Sequence, residues 1–574
     1  MSDRSRHTHR MPPWLFVPWL LLAVATLVLA FTGWLQRDHG LGPDAWRPYE
    51  NAAFLTLRAF EFGESYDRLG ESRASVGLII ARWTGLCLVL STLVVGARAL
   101  FSTQFTTIKA GLRKGHTLIV GDHEMARALA SEAIQRRLKV VHISGSVTEP
   151  EEVGSLITLP GVAGGDALVL GRASVARRII IAETDLGASI DSALRALKSL
   201  PAADAADSSK VAVHLDDPVI AERIHHAPGG ANLYAFSEAQ AAARAVMLRH
   251  PPFLLARRLQ APAIHVVIVG FGRLGQAVAR DIILNSAVSD LGPPHITVID
   301  TRAQAVREAF LHTHPELNER RHFLICADLD QAELAIGKPP VCAVYICLRD
   351  SAEALSSAIG YSERASRHDH IQGPIFVRLR SGGPLRPDAG VAGLEERKIY
   401  SFGALSDAAA SCAAVDEDPD ADAKRVHQVY ADAGGYSAAP WEELSEELKV
   451  SNRRVINHVP AKLASLGFDL EPWLALPDAE RHWPPRLADG ESLFRNETDR
   501  RDAADLEHTR WVADRHVNGW RHGAKRDNRR KLQPYICAFD KLPKDVQAYD
   551  YAIVDWLQNY LKADGTGVVR RPKA

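Results

Sequence analysis

The sequence predicts a chain of α/β plus α class: two apolar N-terminal helices, two parallel-sheet α/β domains, and a helical C-terminal module. Three observations carry this prediction. Trp14 to Leu35 runs 22 residues without a charge, a strand–turn–helix–strand pattern occurs twice about 149 residues apart, and the sequence beyond the acidic stretch that follows Gly403 reads as helical. At 574 residues the chain exceeds what one core can fill, since cores stop growing near ~250–300 residues. With 47% hydrophobic and 24% charged residues it is neither disordered nor apolar throughout. Lys plus Arg number 68 against 69 Asp plus Glu, a net charge of −1, so nucleic acid is not expected as a partner. Six cysteines with no C-x-x-C pair disfavour a disulfide framework or zinc site and suit a reducing compartment.

The first apolar run is long enough to cross ~30 Å of hydrocarbon, and Trp14, Trp19 and Trp34 near its ends suit the interface. A signal peptide is the alternative, but the apolar region is long and no small-residue cleavage site follows. The second run, Val76 to Phe101, contains Arg82 and Arg98 and is the weaker span; Arg82 either lines a pathway or marks the helix start. Spans at about 14–35 and 76–101 fall within residues 13–105, behind a short tail of residues 1–12. Basic residues precede the first span and follow the second, and the connector is net acidic, so both termini are expected in the cytoplasm. Between the spans, Glu50 to Tyr66 ends its apolar stretch in Phe-Gly-Glu. Two spans around a re-entrant segment resemble the layout of a two-helix potassium-channel subunit, but Glu61 falls where the filter's first glycine belongs. Glu61 and Glu64 either form an acidic ring in an oligomer or lie on an amphipathic surface helix.

From His116 the pattern becomes α/β. TLIVGD and HVVIVGFG each read as a strand entering a turn and a helix. In the second copy (residues 262–407) Gly270, Gly272 and Gly275 form G-x-G-x-x-G, and Asp300 ends the next strand 25 residues after Gly275. This is the Rossmann nucleotide pattern. Gly270 permits the tight turn, Gly272 the close approach of a pyrophosphate, and Gly275 the packing of helix on strand, while Asp300 accepts from ribose hydroxyls. Gly270, Gly272, Arg273, Leu274, Gly275 and Asp300 are therefore the candidate cofactor-binding residues, for NAD(H) or an adenine nucleotide. The first copy (residues 115–250) has Gly121, His123 and Ala126 at the glycine positions and Ser144 in place of the acid, so weak binding or none is expected there.

Across Gly115 to about Asp407 the chain resembles the regulator-of-conductance family (RCK, TrkA-N-like), the cytosolic gating domains of potassium channels and transporters. Gly165 to Leu197 looks like that family's third strand, acidic turn, short helix and fourth strand, and CADLDQAEL offers Asp328 and Asp330 at the matching place. The resemblance implies that Asp328 lies near the adenine side, and that nucleotide binding reshapes the domain and pulls on a pore helix.

Residues 408–423 read as an acidic linker. Beyond it, Asp505 to Tyr560 resembles the ryanodine-receptor (RyR) repeat domain through Glu507, His508, Trp511, Arg515, Gly519, Trp520, Gly523, Arg526, Asp527, Lys531, Pro534, Leu542 and Asp550. Aligned by that resemblance, LSEELKVSN parallels LPKDVQAYD 98 residues later, so 424–490 reads as a degenerate repeat before 491–565. The retained loop holds six cations in eleven residues, Arg521 to Lys531. Trp511, Arg515, Trp520, Arg521 and Arg526 are the candidate ligand residues for an anionic, nucleotide-type messenger. The other reading makes the tryptophans core anchors and the cations a solvated face.

Together these readings predict a multi-pass protein of the cell's inner (plasma) membrane. It contacts the lipid bilayer, assembles as a dimer or tetramer, and opens a cation path of potassium-channel type when its cytosolic domains bind nucleotide. The alternatives are a non-conducting anchored sensor or scaffold, and an NAD-dependent oxidoreductase. No Ser-Tyr-Lys, His-Asp or metal constellation accompanies the glycine turn, so no enzyme, catalytic residue or metal is assigned.

Overall fold

The computed structural model describes residues 16–37, 47–58, 76–161, 165–201, 210–217, 233–314, 323–327, 340–365, 371–380, 398–416, 418–434, 439–476, 483–562 and 567–571, with positions 220, 224, 317 and 481. Glu61, Glu64 and Asp328 lie outside them. The chain divides into two compact units, Met1–Ile108 and Lys109–Ala574.

In the first unit, helices Phe16–Arg37, Arg47–Arg58 and Val76–Leu100 pack together. Small residues make the closest approach between the first and third. Ala30 and Ala81 are fully buried, and the Thr26 and Thr84 hydroxyls lie 2.9 Å apart. The large side chains Leu20, Leu21, Val24, Trp83, Leu93 and Val94 are exposed. Among the described residues, Val76–Ala97 is a helix long and apolar enough to cross a membrane, whereas the first helix contributes the shorter stretch Leu20–Leu35.

The second unit holds two parallel sheets. In the first half the strands are β1 (Thr117–Val120), β2 (Val140–Ser144), β3 (Glu151–Val153), β4 (Leu156–Pro160), β5 (Arg178–Ile181), β6 (Val211–His214) and β7 (Leu233–Phe236), ordered β3-β4-β2-β1-β5-β6-β7. Only β3 runs antiparallel, as an edge hairpin on β4. The third parallel strand, β4, comes before Gly165, and Gly165–Leu170 is helical, so that strand lies earlier than expected. In the second half β8 (Ala263–Val269), β9 (Gly292–Ile299), β10 (Phe323–Cys326), β11 (Ala343–Ile346), β12 (Ile375–Arg378) and β13 (Ile399–Phe402) are ordered β10-β9-β8-β11-β12-β13. Setting the β3 hairpin aside, both sheets have the doubly wound order 3-2-1-4-5-6.

Apolar runs on these strands feed both faces of each sheet, as buried parallel sheets require. Val267, Val269, Val344 and Ile346 pack with Ala354 and Ala358 on one face. Val266, Ile268 and Tyr345 join a core on the other face that also contains Ile119, Leu463, Ala503 and Leu557. One continuous core therefore ties the two halves to the C-terminal module.

The halves exchange their closing helices. Glu238–Arg249, which follows β7, packs on Arg273–Asn285 of the second half; Leu405–Ser411, which follows β13, packs on Glu124–Gln135 of the first. Beyond them the chain is helical: Ala421–Asp432, Glu446–Asn457, Val459–Ser465, Glu471–Leu474, Glu497–Val517 and Lys544–Tyr560. A 3₁₀ turn at Trp441–Glu443 precedes Glu446–Asn457, and another at Phe539–Lys541 precedes Lys544–Tyr560, the same 98-residue offset that the sequence shows.

Candidate functional site

The glycine turn lies where the strand order reverses, between the C-terminal ends of β8 and β11. Gly270 has φ +84°, and a Cβ there would meet Leu348 Cδ2 at 3.0 Å. At Gly275 a Cβ would lie 2.2 Å from the Gly270 carbonyl oxygen, so only glycine lets helix Arg273–Asn285 start this close to its strand. Gly272 differs: nothing lies within 4 Å of an added Cβ, and it caps the helix without any side-chain bond. The first amides of the helix thus open onto free space beside the positive end of the helix dipole.

Asp300, at the end of β9, is buried and accepts from Phe271 N–H at 2.9 Å through one oxygen and from Arg302 N–H at 2.9 Å through the other. It braces the turn from behind. Leu274 is buried in the core, which leaves its backbone at the turn. Arg273 is largely exposed and pairs with Asp216 Oδ2 at 3.4 Å, just beyond β6 in the other half. Against the cost of burial, His214, whose Nε2 lies 3.6 Å from Oδ1, and a hydrogen bond from Ser237 Oγ at 2.9 Å hold the Asp216 carboxyl well below its usual range, and Arg273 adds to them. The side chain at the mouth of the glycine turn is thereby shared between the two halves.

The first half has filled its own turn. Asp122 accepts from Ser144 Oγ at 2.5 Å, Gly145 N–H at 3.0 Å and Ser146 N–H at 3.1 Å. Against partial burial, these bonds lower its pKa. A carboxylate of the chain sits among amides that an anion would otherwise use. Position 144 lacks the acid, and an acid stands instead at 122, in the turn after β1. Nearby, His123 Nδ1 accepts from Met125 N–H, its ring lies 4.5 Å from that of His214, and Arg380 grips both oxygens of Glu238.

In the C-terminal module a cleft of 390 Å³ lies among helices Ala421–Asp432, Glu446–Asn457, Glu497–Val517 and Lys544–Tyr560, lined by Tyr430, Trp511, Arg515, Lys525, Arg526 and Tyr549 among others. Trp511 stacks on His508 with ring centroids 5.6 Å apart, and the Arg515 guanidinium lies 5.7 Å from the Trp511 ring and 5.9 Å from the Trp520 ring. Trp520 is buried and donates Nε1–H to Glu447 at 2.7 Å; Arg515 binds the same oxygen at 3.0 Å. Trp520 therefore anchors the repeat interface. Arg526 lies over its ring at 5.9 Å, while Arg521 is exposed on a two-residue strand.

Beneath the cleft is a buried charge network that spacing alone did not reveal. Asp514, fully buried, accepts from Ser451 Oγ at 2.7 Å, from Arg515 at 2.8 Å and from Arg454. Against the cost of burial, its arginine neighbours hold it well below the carboxylate range. Lys462 and Arg510 flank Glu507 at 2.7 Å each, and against burial they bring it down to about 2. Burial pushes Asp550 up to about 6 although His508 Nδ1 lies 3.3 Å away. Glu447 and Asp514 stand more than 60 residues apart and meet only in the fold, which is why no local pattern marks them.

Strand order, turn and bracing acid define a protein of two Rossmann-type α/β halves with one open and one self-filled turn. No family model and no curated protein matches the chain. Among solved structures it is similar to GsuK bound to ADP, at 16% identity and TM-score 0.35, over 70% of this chain and 98% of that one. It is also similar to the GsuK channel bound to NAD, at 14% identity and TM-score 0.37, over 71% and 84%. A dipicolinate synthase from Bacillus halodurans follows at 12% identity and TM-score 0.21, over 53% and 96%. At these values no family is established.

Proposed function

We propose that this chain is a membrane-anchored nucleotide sensor in which binding of NAD(H) or an adenine nucleotide at Gly270–Gly275 reshapes the paired α/β halves and gates a cation path. One observation carries the reading: the turn is open at Gly272, and its mouth residue, Arg273, is held by Asp216 of the other half. A pyrophosphate at Gly272 would compete with Asp216 for Arg273, so occupancy and the contact between the halves become linked. Helix Ser102–Leu112 joins the candidate span directly to β1, which gives such a change a covalent route to the membrane end.

The anchor is supported by the inside-out character of the first unit, with alanine and threonine inside and leucine and valine outside, a distribution that suits lipid. Both termini then lie in the cytoplasm of a multi-pass protomer, and pore formation needs at least a dimer, because two helices enclose no pore. The C-terminal cleft, with Trp511 on one wall and Lys525 and Arg526 along its lining, receives a second, anionic nucleotide-type ligand in the manner of an RyR-like receptor. No catalytic step is proposed.

Reconstitution in liposomes tests the gate. Cation flux should respond to NAD(H) or ADP and should lose that response in Gly272→Asp; an unaltered response in the variant would remove this turn as the gate. A second reading, a non-conducting anchored sensor, is favoured by Glu61 at the position where a filter glycine belongs. It predicts no flux under any ligand, with nucleotide still raising the melting temperature.

A further inference from the structure

Beside the glycine turn, and sharing Arg273 and Asp216 with its mouth, runs a cavity of 310 Å³, within the size range of small-molecule sites. Three helices from three parts of the unit enclose it: Glu238–Arg249, Arg273–Asn285 and Glu446–Asn457. The nucleotide helix presents Gln276, Arg280 and Asp281 along one flank, away from the open amides at its tip.

The cations of this cavity are of two kinds. Arg453 is bound by both oxygens of Asp420 and by Glu446, Arg454 by Asp514, and Arg273 by Asp216. Arg244 and Arg280 have no such partner. Among the described residues neither makes a hydrogen bond or ion pair, and Arg244 Nε is covered without a hydrogen-bond acceptor. Burial and the Arg454 charge lower the Arg280 pKa to about 10. The nearest spare carboxylate, Asp281, forms no ion pair with either arginine; Asn285 donates to one of its oxygens at 2.9 Å and the other has no partner. Both arginines are half-buried and carry no carboxylate on their guanidinium groups, so an anion entering the cavity would gain charge-assisted donors from each.

We propose that this cavity is a second ligand site, taking a small phosphate-bearing anion held by Arg244 and Arg280, distinct from both the glycine turn and the C-terminal cleft. Its volume exceeds what one orthophosphate fills, so a ligand with two linked phosphates or a nucleoside phosphate is the class that fits. Because all three helices contribute, its occupant would fasten the two halves and the C-terminal module to one another. The inference does not depend on nucleotide binding at Gly270–Gly275.

The test uses the full chain in detergent with Gly272→Asp throughout, which closes the glycine turn, and pyrophosphate as probe in titration calorimetry. Saturable binding, tighter than that of inorganic phosphate, is expected. Arg244→Gln with Arg280→Gln should weaken it by about tenfold or more, since two charge-assisted donors are lost. Asp281→Asn should tighten it, because the opposing charge is removed and the donors stay. Without ligand, Arg280→Gln should melt no lower than its parent, since no hydrogen bond or ion pair of Arg280 is lost. Absence of pyrophosphate binding in the parent, or an unchanged affinity in the double variant, overturns the proposal. If the double variant does not fold, Asp281→Asn decides alone: equal or weaker binding overturns it.

Discussion

Gly272 and Gly275 stand three residues apart and answer to opposite demands. Gly275→Ala drives a Cβ against the Gly270 carbonyl and should destabilise the protein by roughly 1–3 kcal/mol, whereas Gly272→Ala meets nothing and should leave the melting temperature within a degree or two of wild type. The discriminating measurement is the ligand-induced shift in melting temperature, which should shrink in Gly272→Ala. Asp281 supplies a pH signature. Burial raises its pKa to about 6, above the value of 3.8 expected unfolded, so the folded state binds the extra proton. Its cost to stability is full above pH 6 and fades as pH falls toward 4. Asp281→Asn should therefore stabilise the protein by on the order of 1–3 kcal/mol at pH 8, with the gain vanishing as melts are repeated down through pH 6. At this scale the glycines were legible, because a positive φ and a close approach leave glycine as the remaining choice. Glu447 and Asp514 were not, because their meaning lies in partners brought from distant segments, and neither was Arg280, whose cavity is closed by distant helices.

At the level of elements, the runs of valine and isoleucine announced the strands, and G-x-G-x-x-G announced the helix that follows β8. The third strand of the first half was misplaced because LITLP is short and ends in proline, while GDALVL carries an apolar stretch that forms a helix instead. The first turn shows why a lost motif need not be a lost structure: Asp122 replaces the anion. Asp122→Ala removes three hydrogen bonds to a carboxylate, from Ser144 Oγ and the Gly145 and Ser146 amides, and should cost about 1–3 kcal/mol, visible as a lower melting temperature with no change in nucleotide affinity. The 98-residue repeat was legible only because a family resemblance guided the alignment; the matching 3₁₀ turns at Trp441 and Phe539 are independent of it.

For the molecule as a whole, the buried ionic network fixes helix Glu446–Asn457 to helix Glu497–Val517. Asp514→Asn leaves Arg454 without its carboxylate inside the fold and Arg515 with Glu447 alone, and should cost about 3–5 kcal/mol, enough to separate the melting of the C-terminal module from that of the α/β pair in calorimetry. The merging of the α/β halves and the helical module into one continuous core was not legible in the sequence, since no local pattern encodes which apolar faces meet.

The reciprocal packing of Glu238–Arg249 and Leu405–Ser411 has a consequence for cutting the chain. Each half wears the other's closing helix, so a break in the connector at Gln260–Pro262 would nick the protein without releasing two pieces. Fragments ending and beginning there, produced separately, should be insoluble alone and recover a folded complex when made in the same cell.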